Sequence, residues 1–134
     1  MKQLLWGLLI STGLISMLVN AEPYGLEREQ ARKRATQSSI EVVKLYTEVG
    51  ERLKRQGITG EKEHDAYLLS LYKEGYEQWK KLRDTQCALK AQIEIYPDDS
   101  RLYEQTINYC VSQENKKYLQ YLTNINNNIS ATHL

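Results

Sequence analysis

The chain has 134 residues and a formal net charge of +1, enough length for one domain and too little for two comfortably. This near-neutrality excludes a general electrostatic attraction to nucleic acid or to an anionic membrane surface. Ten tyrosines and no phenylalanine favour a thin fold, because tyrosine can bury its ring while its hydroxyl reaches water or a partner.

Residues 1–21 resemble a secretory signal peptide. Lys2 supplies the positive start, an apolar run follows over residues 4–19, and small residues precede a predicted cleavage site between Ala21 and Glu22. The run is shorter than the ~20 residues of a spanning helix, so we expect no membrane span after cleavage; the alternative is an uncleaved anchor. No cysteine follows the run to carry a lipid. We therefore predict a periplasmic or secreted protein.

The mature chain predicts an all-α fold, a three-helix antiparallel arrangement in a single domain over residues 22–125. Apolar residues recur at helical spacing in three segments. Gly57 and Gly60 bracket the first connection, and Pro97 ends the second helix. The predicted elements are a loop over 22–26, helices over 27–56, 61–93 and 101–125, and a loose tail over 126–134.

The second predicted helix carries two apolar stripes. Because a helix with two stripes has two neighbours, we expect this helix to be the central one. Gly75 lies in the second stripe and would allow a neighbour to approach closely. The first stripe contains Leu69, Tyr72, Tyr76, Trp79 and Cys87, and the second contains Leu68, Gly75, Leu82 and Leu89.

The second and third helices form a hairpin that brings the only two cysteines level. Cys87 and Cys110 lie at similar distances on either side of the turn at Pro97, so antiparallel packing allows a disulfide between them. Two cysteines in a small exported domain usually pair, because the compartment is oxidising.

The same register predicts contacts further from the turn. One helical turn from the cysteines, Arg83 faces Glu114, and an ion pair is expected because each charge interrupts an apolar stripe. The alternatives are that Arg83 stacks on Trp79, pairs with Asp84 or reaches solvent. The next turn places Trp79 opposite Tyr118.

The polar residues form no recognisable catalytic constellation. A nucleophile needs an adjacent base, and the two histidines, His64 and His133, lie near a helix start and in the tail. Glu61, Glu63 and Asp65 cluster around His64, but a helix end points such side chains in different directions. We therefore predict that the protein is not an enzyme and holds neither a metal ion nor another cofactor.

The segment WKKLRDTQC at residues 79–87 is followed by a second cysteine and a closing helix. This pattern resembles the LprI-type lysozyme-inhibitor-like domain family, whose members are small helical bacterial envelope proteins with a W-x-x-(aromatic or Leu)-R-D-x-x-C segment. The resemblance covers residues 39–122 and is most specific in its second half.

Carried over residue by residue, the resemblance marks Trp79, Arg83 and Asp84 as family-signature positions. It also implies that Cys87 and Cys110 form the family disulfide. The chain lacks the additional cysteine that many members carry near the mature N-terminus.

The resemblance implies an exported bacterial binding protein that acts by protein–protein contact, with lysozyme as the candidate partner. Inhibition would require plugging a sugar-binding cleft lined by two carboxylates. The alternative is a non-inhibitory structural or assembly protein of the envelope. The best-shaped segment for contact with a partner is the turn formed by Tyr96, Pro97, Asp98, Asp99 and Ser100.

Overall fold

A computed structural model describes residues 23–95 and 99–132. Within these ranges the fold is all-α, as predicted, and its helices are α1 (Pro23–Gln56), α2 (Lys62–Glu94) and α3 (Ser100–Ala131). The predicted signal peptide and its cleavage site, the turn residues 96–98 and the histidine at position 133 lie outside the described residues.

The connection between α1 and α2 is fixed by two glycines and a carboxylate. Gly57 and Gly60 have φ angles of +62° and +77°, values that a residue with a side chain rarely adopts. An Asp65 oxygen accepts hydrogen bonds of 2.9 Å from the backbone N–H groups of both Ile58 and Thr59. These bonds, led by the one from Thr59, hold the pKa of Asp65 below its ordinary value.

Asp99 caps the N-terminus of α3. Its side-chain oxygen accepts hydrogen bonds from the backbone N–H groups of Arg101 at 3.0 Å and Leu102 at 3.4 Å. These donors have no partner within the helix. The bond from Arg101 contributes most to holding the pKa of Asp99 below its ordinary value.

The first and third helices run parallel, and α2 runs antiparallel to both. Because α1 and α3 lie side by side along their length, contacts between them recur near both ends and in the middle. Three hydrogen bonds mark this register: Gln105 Nε2 to Glu27 Oε2 at 3.4 Å, Asn115 Nδ2 to Ser38 Oγ at 2.9 Å, and Arg52 Nη1 to Asn126 Oδ1 at 2.8 Å.

The central helix is α3, so the expectation that α2 is central is wrong. α1 and α3 share the most extensive contact, and α1 and α2 the least. The α1–α2 contact includes a hydrogen bond of 2.8 Å from the Tyr72 hydroxyl to the Tyr46 carbonyl. Gly75 is exposed, and a Cβ built there meets no atom within 4 Å. The second predicted stripe of α2 therefore has no neighbour among the described residues over most of its length.

The core consists of two clusters along the axis of the bundle, and both involve α1 and α3. Since each long helix buries a single stripe, the core is a narrow column and not a wide interior. One cluster contains Val42, Tyr76, Tyr118 and Leu122; the other contains Val49, Leu53 and Ile129.

Two predicted boundaries are corrected, one at the start of α1 and one at the end of α3. α1 begins at Pro23, so residues 23–26 are helical and do not form the predicted loop. α3 continues to Ala131, so residues 126–131 are not the expected loose tail. Ile129, only 3% exposed, packs with Val49 and Leu53, and this burial explains the extension because tertiary packing supplies most helix stability.

Replacing Leu122 by alanine tests the narrow core. Leu122 is fully buried, so Leu122→Ala should lower the free energy of unfolding by about 2–5 kcal/mol through lost apolar contact and the cavity left behind. The measurement is the midpoint and slope of urea denaturation. Leu26→Ala is the matched control, because Leu26 is 62% exposed. Equal losses in the two variants would contradict the assigned core.

Candidate functional site

The predicted disulfide is present and joins α2 to α3. Cys87 and Cys110 are bonded with a Cα–Cα distance of 5.5 Å, within the usual range. Cys87 is fully buried. The bond fixes the two helices near the turn that connects them.

Removing the disulfide should destabilise the protein strongly. The sequence separation of 23 corresponds to a loss of roughly 3–4 kcal/mol in the chain-entropy model. We expect this loss in the Cys87→Ser/Cys110→Ser variant, measured by urea denaturation beside the oxidised wild type. Reduction of the wild type provides the control without substitution. Unchanged stability in both would show that helix packing alone fixes the hairpin.

Arg83 contacts three groups at once. Its Nη2 lies 2.7 Å from an Asp84 carboxylate oxygen, and its guanidinium carbon lies 5.0 Å from the centre of the Trp79 ring. Its Nη1 donates to the Asn115 side-chain oxygen at 2.8 Å. The arginine side chain is only 13% exposed. Two of the predicted alternatives, stacking on Trp79 and pairing with Asp84, are therefore both realised.

Asn115 connects all three helices, and the sequence analysis missed it. Its amide oxygen accepts from Arg83 of α2, and its amide nitrogen donates to the hydroxyls of Ser38 and Ser39 of α1 at 2.9 and 3.0 Å. The residue is fully buried, and a buried amide is tolerated only when its polar atoms are paired. We call this set of contacts the Asn115 bridge.

The predicted Arg83–Glu114 ion pair is wrong by one residue. Glu114 instead lies 2.7 Å from Lys117, three residues further along α3. Because successive helical residues differ by 100° in direction, Asn115 points into the bundle where the predicted register placed Glu114. The neutral amide of Asn115 accepts a hydrogen bond from Arg83, and no second charge is buried.

A double-mutant cycle tests the Asn115 bridge. Arg83→Leu and Asn115→Leu should each lower the free energy of unfolding by about 1–3 kcal/mol, since each leaves a buried polar partner unpaired. The double variant should recover about 0.5–3 kcal/mol relative to the sum. Glu114→Leu is the matched control and should change stability by less than about 0.5 kcal/mol. Strict additivity would contradict the coupling.

A column of stacked aromatic rings continues from Trp79 along the interior. The predicted Trp79–Tyr118 contact is confirmed, with ring centres 3.8 Å apart. Tyr46 of α1 stacks on Tyr76 at 3.9 Å and on Tyr72 at 5.0 Å. Burial is the main cause that raises the pKa of Tyr72 and of Tyr118 well above the ordinary tyrosine value. These rings serve as core and are not an exposed binding platform.

The carboxylates around His64 are not directed toward one common point. Glu61, Glu63 and His64 are exposed, while Asp65 is engaged by the backbone of the α1–α2 connection. Among residues 23–95 and 99–132, no group of three or more histidine, cysteine, aspartate or glutamate side chains is arranged to hold a metal ion.

The predicted contact turn is only partly described. Asp99 and Ser100 belong to the start of α3, with Asp99 as its cap. Tyr96, Pro97 and Asp98, the tip of the turn, lie outside the described residues.

One face of α2 is uncharged and exposed over most of the helix. Its five large apolar side chains are between 45% and 71% exposed. No aspartate, glutamate, lysine or arginine is among its members, which follow one another at spacings of three or four residues. We call this surface the outer face of α2: Tyr67, Leu71, Gly75, Gln78, Leu82, Thr85, Leu89 and Ile93.

A second apolar surface is an open groove between α1 and α3. Ile40 and Val43, 57% and 52% exposed, form one wall. We call this surface the α1–α3 groove; it is lined by Ala35, Thr36, Ser39, Ile40, Val43, Lys44, Asn108 and Val111.

Comparison with known proteins adds no further constraint. The chain matches no protein-family model, no curated protein and no solved structure. The resemblance to the lysozyme-inhibitor-like family therefore depends on the residues at positions 79–87 and the second cysteine. Within the described part of the chain, no helix has the length and apolar character needed to cross a membrane.

Proposed function

We propose that this chain is an exported bacterial binding protein that acts by protein–protein contact, with lysozyme as its first candidate partner. The observation that carries this proposal is the α1–α3 groove, an open apolar surface between two helices. Exposed apolar side chains gathered in one place mark interaction sites more often than singly scattered ones do. The disulfide supports an oxidising compartment outside the cytoplasm.

The groove fits an apolar protrusion of a protein partner. Ile40 and Val43 offer apolar contact, and Asn108 offers a polar contact on the opposite wall. Lys44 is the one charged residue in the lining, and it favours a partner that places an acidic group beside the apolar one. The combination of an apolar centre and a polar rim is common in protein–protein interfaces.

The contacts of Trp79 and Arg83 support a structural role for these two residues. Arg83 donates a hydrogen bond to Asn115 and lies over the ring of Trp79, which stacks on Tyr118, so substitution there would disturb the bundle itself. The resemblance contributes the candidate partner and the envelope location. The groove and the turn at residues 96–100 are the surfaces proposed to meet that partner.

A lysozyme turbidity assay tests the proposal. The oxidised, exported protein should slow lysis of a bacterial suspension in a dose-dependent way. Val43→Glu should abolish the effect, because it places a carboxylate in the apolar centre of the groove. Leu82→Glu is the matched control: Leu82 is equally exposed but lies on α2, so inhibition should persist.

Two results would overturn parts of this proposal. If several types of lysozyme are not inhibited while circular dichroism shows the helical fold, lysozyme is excluded as partner. The alternative, a non-inhibitory assembly protein of the envelope, would then be preferred. If inhibition persists in Val43→Glu but is lost in Asp98→Lys, contact is made by the turn and not by the groove.

A further inference from the structure

We infer that the outer face of α2 is the interface of a symmetric dimer, in which α2 of one copy packs antiparallel against α2 of a second copy. The inference does not depend on the proposed partner or on the α1–α3 groove. The inference begins from the two apolar stripes of α2, of which only one is covered by α1 and α3.

The uncovered stripe has the spacing of a helix that packs against another long helix. Leu68, Gly75, Leu82 and Leu89 recur every seven residues, and Leu71 and Gln78 follow the first two at the complementary spacing of three. Such a repeat keeps one seam facing a partner helix over its whole length.

No contact within the described part of a single copy explains why residue 75 is a glycine. In the middle of a helix it costs about 1 kcal/mol relative to alanine, and here no atom lies within 4 Å of the position that a Cβ would take. The monomer therefore has no steric need for glycine. A glycine at the centre of a helix–helix contact instead allows the partner helix to approach closely.

A second copy of this chain fits the outer face because the face is complementary to itself. In one antiparallel register Leu71 lies opposite Leu82 of the second copy, and Gly75 lies opposite Gln78 of the second copy. Each pairing occurs twice around the two-fold axis, as an isologous interface requires. The glycine provides space for the longer glutamine, and residues 62–91 of the two helices overlap, about 45 Å of helix.

Charges on the border of the outer face favour this register over one that is shifted by a heptad. Glu74 and Lys81, seven residues apart, flank the face on the same side. In the proposed register Lys81 of one copy lies beside Glu74 of the other, and the same pair forms again across the axis. A shift of one heptad would instead bring the two copies of Lys81 together, and like charges disfavour such an arrangement.

The rest of the bundle leaves this face accessible. Trp79 and Tyr76 pack on Tyr118 of α3 from the other side of α2, so α3 lies behind the helix and not between the two copies. Tyr121 of α3 is 55% exposed and lines a shallow depression with Leu71 and Gly75. A second copy would therefore cover this tyrosine as well as the outer face.

Sedimentation equilibrium of the oxidised, exported protein tests the inference. We expect a reversible dimer in the wild type and a monomer in Leu82→Glu, because the new carboxylate would be buried opposite Leu71. Val43→Glu is the matched control and should remain dimeric, since Val43 lies on α1 with similar exposure. Circular dichroism verifies that each variant keeps its helices.

Exchange of charges tests the register. Glu74→Lys should weaken the dimer by about tenfold, since two opposite-charge pairs become like-charge pairs. Adding Lys81→Glu in the same chain should restore the wild-type dissociation constant. Gly75→Leu should also weaken the dimer while leaving the unfolding free energy of the monomer unchanged or higher.

Several outcomes would overturn the inference. A wild-type protein that stays monomeric at all concentrations excludes the dimer. A dimer that persists in Leu82→Glu places the interface elsewhere. A dimer that is insensitive to Glu74→Lys, or is not rescued by the charge exchange, excludes the antiparallel pairing. If Val43→Glu abolishes lysozyme inhibition but leaves the dimer intact, the outer face of α2 and the proposed partner site are different surfaces.

Discussion

The buried amide of Asn115 is the contact on which the three-helix arrangement depends. It lies on the central helix and accepts from Arg83 of α2 while donating to Ser38 and Ser39 of α1. A buried polar group with unpaired atoms would cost free energy, so the bridge is satisfied in only one relative placement of the helices. The core cluster around Leu122 and the Cys87–Cys110 disulfide are both compatible with that placement. Neither of them fixes the rotation of all three helices about their axes.

The second determining feature is the thinness of the bundle. Three helices of more than thirty residues each bury one stripe apiece and leave the remaining apolar residues at the surface. Tyrosine suits this geometry, because Tyr72 stacks on Tyr46 and still donates its hydroxyl to a backbone carbonyl. The same thinness explains why apolar residues on α2 and on the α1–α3 groove remain exposed.

The arrangement separates stabilising residues from those free to recognise a partner. Trp79 and Arg83 are engaged in the interior. The exposed residues with the greatest capacity for recognition, on the groove and on the outer face of α2, have no conspicuous motif. The two surfaces lie on different helices, so the proposed partner binding and the proposed self-association can be tested separately.

The sequence by itself determined the elements and the covalent link. Helical periodicity identified three helices, the glycines at 57 and 60 marked the first connection, and the hairpin register brought Cys87 level with Cys110. These features depend on local geometry, in which the rise and rotation per residue are fixed. The Trp79–Tyr118 contact followed from the same hairpin register.

Only the tertiary structure decided which helix is central, which residue meets Arg83 and how far α3 extends. The choice of Asn115 over Glu114 depends on the rotation of α3 about its axis, and a one-residue difference turns the contact by 100°. The Asn-rich end of α3 has weak intrinsic helix preference and gains its stability from the burial of Ile129 beside Val49. The two stripes of α2 predicted two neighbours, whereas the parallel pairing of α1 with α3 left one stripe open. Such choices depend on contacts between segments far apart in the chain, which local periodicity cannot rank.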